Sequence, residues 1–301
     1  MISFFDLHCD TLSRAYLGNY NIFSSPLQIS LEKSSIFRSY KQVMAIWADN
    51  SLSNYDGYKR YREILNYAKN QGIKFVTHLP NDTPDATYIL SIEDLRIIES
   101  DISRLSEFYR DGVRLAIPFW RGTNQLGGAW DTNEGLSALG SCAIKCMLEL
   151  GIIPDISHSS IRSIDEIIEL CTLYKKPLVA SHSNAFSVCN HKRNLSREHF
   201  LEIISLGGVV GISLCPEHLS SSGFATIDDI LRHIDYYLSL DGENHICFGC
   251  DFDGVTSLPL KIHGIEDMPK IYIRLLNAFG EAIAKKIFYD NAYSFLSKNL
   301  L

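Results

Sequence analysis

The sequence predicts an α/β fold, a (β/α)8 TIM-like barrel, on three observations. Eight apolar runs of strand length are spread along the 301 residues. Helical patterns separate most of these runs, which indicates right-handed βαβ units and a parallel sheet. Six side chains of metal-binding type follow five of the runs. Such residues converge when parallel strands end together, above all in a closed barrel.

The predicted strands are near-continuous hydrophobic stretches such as QVMAIWA and GGVVGISL. Strands buried on both faces of a parallel sheet have this composition. The predicted ranges are 2–7, 42–48, 88–93, 113–119, 152–157, 177–181, 208–214 and 245–251. A barrel needs roughly 250 residues, and no linker or internal repeat divides the chain. We therefore expect residues 1–301 to form a single barrel domain.

Helices are predicted where apolar residues recur at helical spacing. The clearest segments are GYKRYREILNYAKNQG, LSALGSCAIKCMLELG, IRSIDEIIELCTLYKK and TIDDILRHIDYYLSL. The segment from about 11 to 40 is predicted to be a loop with weak helix that covers the first strand. An open doubly wound sheet is disfavoured, because the glycine-rich nucleotide-binding fingerprints are absent.

The composition excludes several partners. A formal net charge of −7 and an isoelectric point near 5.8 disfavour a nucleic-acid surface, which needs a basic patch. No stretch approaches the roughly 20 apolar residues that span a bilayer, and the first residues lack the basic flank of a signal peptide. We expect a cytoplasmic enzyme with neither a membrane nor a nucleic acid as its partner.

The first predicted strand ends in His8-Cys9-Asp10. Because side chains two apart on a strand share a face, one imidazole and one carboxylate can bind the same cation. Glu93 ends the third strand, and its two oxygens could bridge two cations. The alternatives are a hydrogen-bonded core histidine, a capping aspartate, and a glutamate that favours the first turn of a helix.

Two histidines end consecutive predicted strands in matching contexts. His158 lies in DISHSS and His182 in VASHSN, and neutral imidazole is a common zinc ligand. Asp251 and Asp253, in GCDFDG, end the last strand. A carboxylate there could exchange protons beside a metal site, or the two aspartates could simply form a turn. The other histidines are interpreted as structural or solvent-facing; they include His78, His191, His199, His218, His233, His245 and His263.

Together these motifs resemble the membrane dipeptidase (renal dipeptidase-like) family, and the chain is similar to the soluble bacterial branch of that family. The matching motifs run along the whole chain: DLHCDT, IE after the third strand, DISHSS, ASHSNA, HKRNLS and GCDFDG. The resemblance implies a barrel of metallo-dependent hydrolase type with two zinc ions, or other divalent ions. It also implies a dipeptide substrate and a homodimer.

The resemblance also implies individual roles. His8 and Asp10 would bind one zinc ion, and His158 and His182 the other, with Glu93 bridging the two. Arg193, in HKRNLS, would bind the C-terminal carboxylate of the substrate, a role suited to a bidentate guanidinium fork. By the same resemblance, Asp251 would take up the proton and return it.

One stretch departs from the family pattern. The family usually has a histidine shortly after the fourth strand that polarises the scissile carbonyl. In VRLAIPFWRGTN, Trp120 stands in its place, whereas Asn124 is retained, so both are candidate substrate-binding residues. Loss of one such donor can lower a rate by roughly 10²–10³. Arg121 could replace the donor, or Trp120 could reshape the pocket. The IE motif also continues as DL, where the family often has glycines.

The sequence therefore predicts a dipeptidase that depends on two zinc ions and uses a hydroxide bridging them. The first alternative is a metal-dependent amidase or lactonase for another small metabolite, because Trp120 replaces the histidine. The second alternative is a non-catalytic barrel that binds a metal.

Overall fold

Eight parallel strands and the helices around them make up most of the computed structural model, which describes residues 1–80 and 86–300. The strands are β1 Phe4–Cys9, β2 Tyr40–Trp47, β3 Thr87–Glu93, β4 Val113–Ile117, β5 Ile153–Pro154, β6 Val179–Ala180, β7 Val209–Ile212 and β8 Ile246–Phe248. Each overlaps one of the eight predicted runs. Their spatial order is β5-β4-β3-β2-β1-β8-β7-β6. A parallel bridge between Asp155 and Val179 joins the two ends of that order, so the predicted barrel is confirmed.

The last four strands are shorter than the sequence predicts, because side chains replace part of the backbone ladder. Oδ1 of Asp155 accepts hydrogen bonds from the amides of Ser157 and Ser181, each at 3.0 Å. The hydroxyl of Ser157 accepts from the amide of His182 at 3.1 Å. The ends of β5 and β6 are therefore held by buried side chains, and this network places His182.

The helices lie outside the strands. They are α1 Thr11–Gly18, α2 Asn54–Asn70, α3 Ser103–Asp111, α4 Ala138–Leu150, α5 Ile161–Tyr174, α6 Arg197–Ser205, α7 Pro216–Leu219, α8 Ile227–Leu238, α9 Met268–Lys285 and α10 Asn291–Asn299. Hydroxyl caps fix several starts, since Ser137, Ser160 and Ser196 each accept from an amide in the first turn of α4, α5 or α6. The four helical segments predicted from sequence correspond to α2, α4, α5 and α8.

The barrel interior is apolar and closed at one end. Every strand contributes to it; the inward side chains are Phe5, Leu7, Val43, Ile89, Leu115, Ile153, Val179, Val209 and Cys247. Ala292, Phe295 and Leu296 of α10 pack against this layer from the amino-terminal end of the strands. The carboxyl-terminal end is left for a site, as in other barrels of this type. No helix in the described part of the chain is long and apolar enough to cross a membrane.

Candidate metal centre and active site

The six residues predicted at the strand ends meet at the carboxyl-terminal mouth of the barrel. His8, at the end of β1, lies between carboxylates from three different strand ends. Its Nε2 is 3.6 Å from Oδ2 of Asp10, 3.7 Å from Oε2 of Glu93 and 3.8 Å from Oδ1 of Asp251. A neutral imidazole and several carboxylate oxygens are ligands that divalent cations accept in proteins.

Glu93 divides this cluster into two halves. Its Oε2 faces His8, whereas its Oε1 lies 2.9 Å from Nε2 of His158 and 3.9 Å from Nε2 of His182. The two oxygens of one carboxylate thus face two separate groups of ligand atoms. This arrangement suits a carboxylate that bridges two cations.

Contacts to the Nδ1 atoms orient the imidazoles of His158 and His182. Nδ1 of His158 is 2.9 Å from the carbonyl oxygen of Trp120, which can only accept, so Nδ1 carries a proton. Burial lowers the pKa of His158 to about 4, so the ring is neutral near pH 7 and Nε2 presents a lone pair. Nδ1 of His182 is 2.8 Å from the hydroxyl of Ser181. Such contacts fix the tautomer and the ring orientation of histidines that bind metals.

Buried polar atoms without partners test whether a cation fits. Among the described residues, Nε2 of His8, Nε2 of His182 and Oδ1 of Asp10 are buried and form no hydrogen bond. An unsatisfied buried group costs about 1–3 kcal/mol, so three in one cluster need a partner. Two groups of three residues each bring their ligand atoms within 4.8 Å of one another. One group is His8, Glu93 and His182, and the other is His8, Asp10 and Asp251. These residues fit a divalent cation.

The charge balance of the cluster leads to the same conclusion. Burial and the nearby charge of Glu93 raise the pKa of Asp10 to about 7. Burial alone would lower the pKa of His8, but the nearby carboxylates of Asp10 and Glu93 outweigh it and raise that pKa well above its usual value. The carboxylates therefore attract positive charge, which His8 supplies by holding a proton. A divalent cation would take over that role.

Asp251 lies beside the cluster, with its Oδ1 3.8 Å from Nε2 of His8. Burial, together with the charges of Asp10 and Glu93, raises its pKa well above the usual range for a carboxyl group. Its backbone adopts φ of +62°, and that of His158 adopts +69°. Positive φ in a non-glycine residue is strained and concentrates at functional sites. A raised pKa makes the carboxylate a better proton acceptor and lets it hold the proton it takes up.

A cavity of about 420 Å³ lies above the cluster. Arg193, from the loop between β6 and α6, lines this cavity and is buried, with a relative exposure of 6%. Its Nη2 has no hydrogen-bond partner among the described residues. A buried guanidinium with an unused donor is suited to an anionic group of a ligand. Trp120 also lines the cavity.

Asn124 does not line the main cavity. Its amide nitrogen donates to Oδ1 of Asp94 at 2.8 Å and to the carbonyl of Pro118 at 2.9 Å, and its oxygen accepts from the amide of Leu126. The side chain faces a separate polar depression that shares Arg121 with the main cavity. These bonds hold the β4 loop, and a substrate-binding role for Asn124 stays a prediction.

Two histidines interpreted as structural or solvent-facing line the cavity instead, so that interpretation was wrong. The rings of His191 and His218 lie 4.6 Å apart, next to Arg193. Burial and the charge of Arg193 lower the pKa of both rings, which are therefore neutral near pH 7. Both lie in connections that follow strands β6 and β7, and no strand-end motif marks them in the sequence. The nearby HKRN motif was the one available signal.

Asp253 has a structural role in the described chain. Its Oδ2 accepts from the hydroxyl of Thr11 at 2.6 Å, and its Oδ1 accepts from the amide of Gln28 at 2.8 Å. These bonds tie the loop after β8 to the segment that covers β1. Of the GCDFDG pair, Asp251 is the one that faces the metal cluster.

A closed parallel barrel with histidines and carboxylates clustered at its carboxyl-terminal mouth defines a metal-dependent hydrolase. More particularly, the chain belongs to the membrane dipeptidase family (peptidase family M19), whose sequence profile matches residues 5–298. This confirms the predicted family.

Individual relatives share part of the sequence. A Klebsiella pneumoniae protein encoded in the region 5′ of pqqA is 35% identical over 201 residues, which cover 62% of this chain and 72% of the relative. A Schizosaccharomyces pombe protein named as a dipeptidase is 29% identical over 206 residues, 64% of this chain and 49% of the relative. The chain thus spans about half the length of that fungal relative.

A solved structure shares the fold along the whole chain. A metallopeptidase from Rhodobacter sphaeroides, bound to a phosphinate mimic of the dipeptide L-Ala-D-Ala, superposes with a TM-score of 0.89 at 22% identity. The match covers 99% of each chain. At this identity the likeness concerns the fold, which it confirms.

Proposed function

We propose that this protein is a dipeptidase that depends on two zinc ions and hydrolyses the peptide bond of a free dipeptide. The proposal rests on the position of Glu93, whose two carboxylate oxygens face different ligand atoms. His8 and Asp10 would hold one ion, and His158 and His182 the other. Bound there, the two ions would polarise the scissile carbonyl and turn a bridging water into a hydroxide nucleophile.

Arg193 supports a substrate with a free C-terminal carboxylate. Its guanidinium is buried beside the neutral rings of His191 and His218, and Nη2 lacks a partner among the described residues. A bidentate ion pair with the carboxylate would orient the dipeptide with its peptide bond over the cluster. A longer peptide has no carboxylate at that position, so the same contact selects dipeptides.

Asp251 would carry the proton. In hydrolysis, the oxygen of water adds to the carbonyl carbon, and the carbon–nitrogen bond then breaks. The carboxyl of Asp251 would accept the proton that water releases and deliver it to the departing amine nitrogen. Burial and neighbouring carboxylates keep the pKa of Asp251 raised, so it can hold that proton between the two steps.

The experiment that tests the proposal is a substrate panel. Zinc-loaded protein would be assayed with dipeptides of L,L and L,D configuration, their C-terminal amides, tripeptides, N-acyl amino acids and lactones. We expect turnover of free dipeptides, and loss of most of it for amides and tripeptides. Turnover of lactones or N-acyl amino acids with no hydrolysis of any dipeptide would contradict the proposal.

The amidase or lactonase alternative rests on Trp120. Its indole lines the cavity, with its ring centre 6.5 Å from that of His158. If Trp120 occupies the place of the carbonyl-polarising histidine, Trp120→His should raise dipeptide turnover. An unchanged rate would show that the donor comes from elsewhere. Homodimer formation, a cytoplasmic location and the zinc identity stay predictions.

A further inference from the structure

All three tryptophans of the chain line the cavity above the metal cluster. Trp47 ends β2, Trp120 follows β4, and Trp130 lies further along the same connection. None of the three indoles belongs to the groups of metal-binding side chains, so their concentration in one cavity needs a separate explanation.

Trp47 and Trp120 form one continuous aromatic wall next to Glu93. Trp47 is paired in register with Glu93 across β2 and β3, and register partners on parallel strands project to the same side of the sheet. The indole of Trp47 therefore enters the mouth of the barrel beside the bridging carboxylate. Trp120 packs on it edge to face, with ring centres 5.0 Å apart and planes at 64°.

Trp47, at one end of this wall, lies across the barrel from Arg193, whereas Trp120 follows β4, two strand positions from β6. Arg193 follows β6, and in the ring of eight strands β6 is four positions away from β2 in either direction. A dipeptide whose carboxylate binds Arg193 and whose carbonyl lies over the central cluster must place its N-terminal residue toward the opposite side. The side chain of that residue then meets the indoles of Trp47 and Trp120.

We propose that the Trp47–Trp120 wall is the binding site for the N-terminal side chain of the substrate, and that it selects dipeptides with an aromatic or large apolar residue at that position. The inference rests on the proposed dipeptidase activity and on Arg193 as the carboxylate anchor. Two indoles at an angle offer a face and an edge to an aromatic ring, the arrangements that aromatic pairs favour.

An acidic N-terminal side chain is the competing choice, because Arg14 and Arg121 also line the cavity. Both already have partners. Nε of Arg14 donates to the carbonyl of Asp253 at 3.0 Å, and Nε of Arg121 lies 3.4 Å from Oδ2 of Asp131, with its side chain 63% exposed. The arginines are therefore at the rim of the cavity, and the indoles form the wall beside the cluster.

The test compares kcat/KM for Phe-Ala, Leu-Ala, Ala-Ala and Glu-Ala on the zinc-loaded enzyme, with L- and D-alanine as the second residue. We expect Phe-Ala to exceed Ala-Ala by roughly 10-fold or more, since filling an apolar pocket with a larger side chain discriminates on this scale. In Trp47→Leu and Trp120→Leu the ratio should fall to within about threefold of one. Trp47→Phe, which keeps an aromatic ring, should retain most of the preference.

Trp130→Leu is the matched control, because it removes the third indole of the same cavity on the side of His191, where the ring centres are 5.9 Å apart. This variant should keep the Phe-Ala over Ala-Ala ratio. Because each ratio is measured within one variant, a general loss of activity does not mimic the effect.

Two results would overturn the inference and leave the proposed activity standing: an Ala-Ala or Glu-Ala preference in the unaltered enzyme, or a Phe-Ala preference that survives both leucine variants. Failure to hydrolyse any dipeptide would instead overturn the proposed activity, and this inference with it.

Discussion

Nε2 of His158 lies 2.9 Å from Oε1 of Glu93, and the opposite nitrogen of the same ring is bonded to the carbonyl of Trp120. The ring therefore presents a lone pair to the carboxylate, an arrangement that two acceptors would not adopt without a positive charge between them. A cation shared by both residues would resolve this contact. At His8, whose Nε2 faces three carboxylates, a bound cation would replace the proton that balances their charge.

Ser181→Ala should weaken zinc binding. The Ser181 hydroxyl is 2.8 Å from Nδ1 of His182 and holds that ring in place, and loss of such an orienting contact costs roughly 10–100-fold in metal affinity. Competition with a chelator of known affinity measures the change. Ser159→Ala is the matched control, because the Ser159 hydroxyl is buried near His158 without a hydrogen-bond partner in the described chain. Equal affinity in both variants would show that Ser181 does not orient the ligand.

Arg193→Ala should lower kcat/KM for dipeptides by about 10–100-fold, since a hydrogen bond to a charged group contributes about 1.5–3 kcal/mol. Arg193→Lys should recover only part of this loss, because an ammonium lacks the planar fork. Steady-state kinetics on a dipeptide and on its C-terminal amide separate carboxylate recognition from a general defect. We expect the amide to be cleaved slowly by all three proteins. An equal loss on both substrates would assign Arg193 a structural role.

Asp251→Asn should lower kcat by roughly 10²–10⁴, the usual contribution of a positioned acid or base, while two zinc ions remain bound. An amide has nearly the shape of the carboxyl group but cannot carry the proton. Asp253→Asn is the control two residues away, whose carboxylate bonds to Thr11 and Gln28. That control should affect unfolding more than kcat. Retention of kcat within about 10-fold in Asp251→Asn would remove Asp251 from the proton transfer.

Asp94 should make stability depend on pH. Burial raises its pKa from 3.8 to about 7, against the opposing effect of the hydrogen bond from the Arg96 amide. The folded state therefore favours the protonated acid. Its stabilising contribution is fully present below pH 4 and is lost as the pH rises toward 7, by up to about 4 kcal/mol.

Asp94→Asn removes this titration and preserves an acceptor for Asn124 and for the Arg96 amide. Urea unfolding at pH 4.5 and at pH 7.5 should therefore show the variant gaining stability relative to the unaltered protein as the pH rises. Asp101→Asn is the comparison, because Asp101 is exposed and its hydrogen bonds from Ser103 lower its pKa. A relative stability of Asp94→Asn that is independent of pH would contradict the account.

Residues at strand ends were predictable because a parallel barrel brings them to one mouth whatever the connections do. His8, Glu93 and His182 follow apolar runs directly, so their convergence required only the fold class. His191 and His218 lie in connections whose paths depend on tertiary packing. Sequence spacing therefore could not place their rings against Arg193.

The groups that orient the candidate metal-binding histidines could not be predicted from the sequence either. The contact to His158 comes from a backbone carbonyl, that of Trp120, and any residue at that position supplies the same atom. Asn124 illustrates the opposite difficulty. The family resemblance suggested substrate binding, a role that stays a prediction, and nothing in the sequence indicated that its amide contacts Asp94 and Pro118.

Dependence on two zinc ions can be measured by a zinc titration of chelator-treated protein, followed by metal analysis and dipeptide hydrolysis on the same samples. We expect two zinc ions per chain and activity that returns as they bind, with fewer than two ions retained by Glu93→Gln. Less than one zinc ion per chain, with no hydrolysis restored by added zinc, would contradict this dependence.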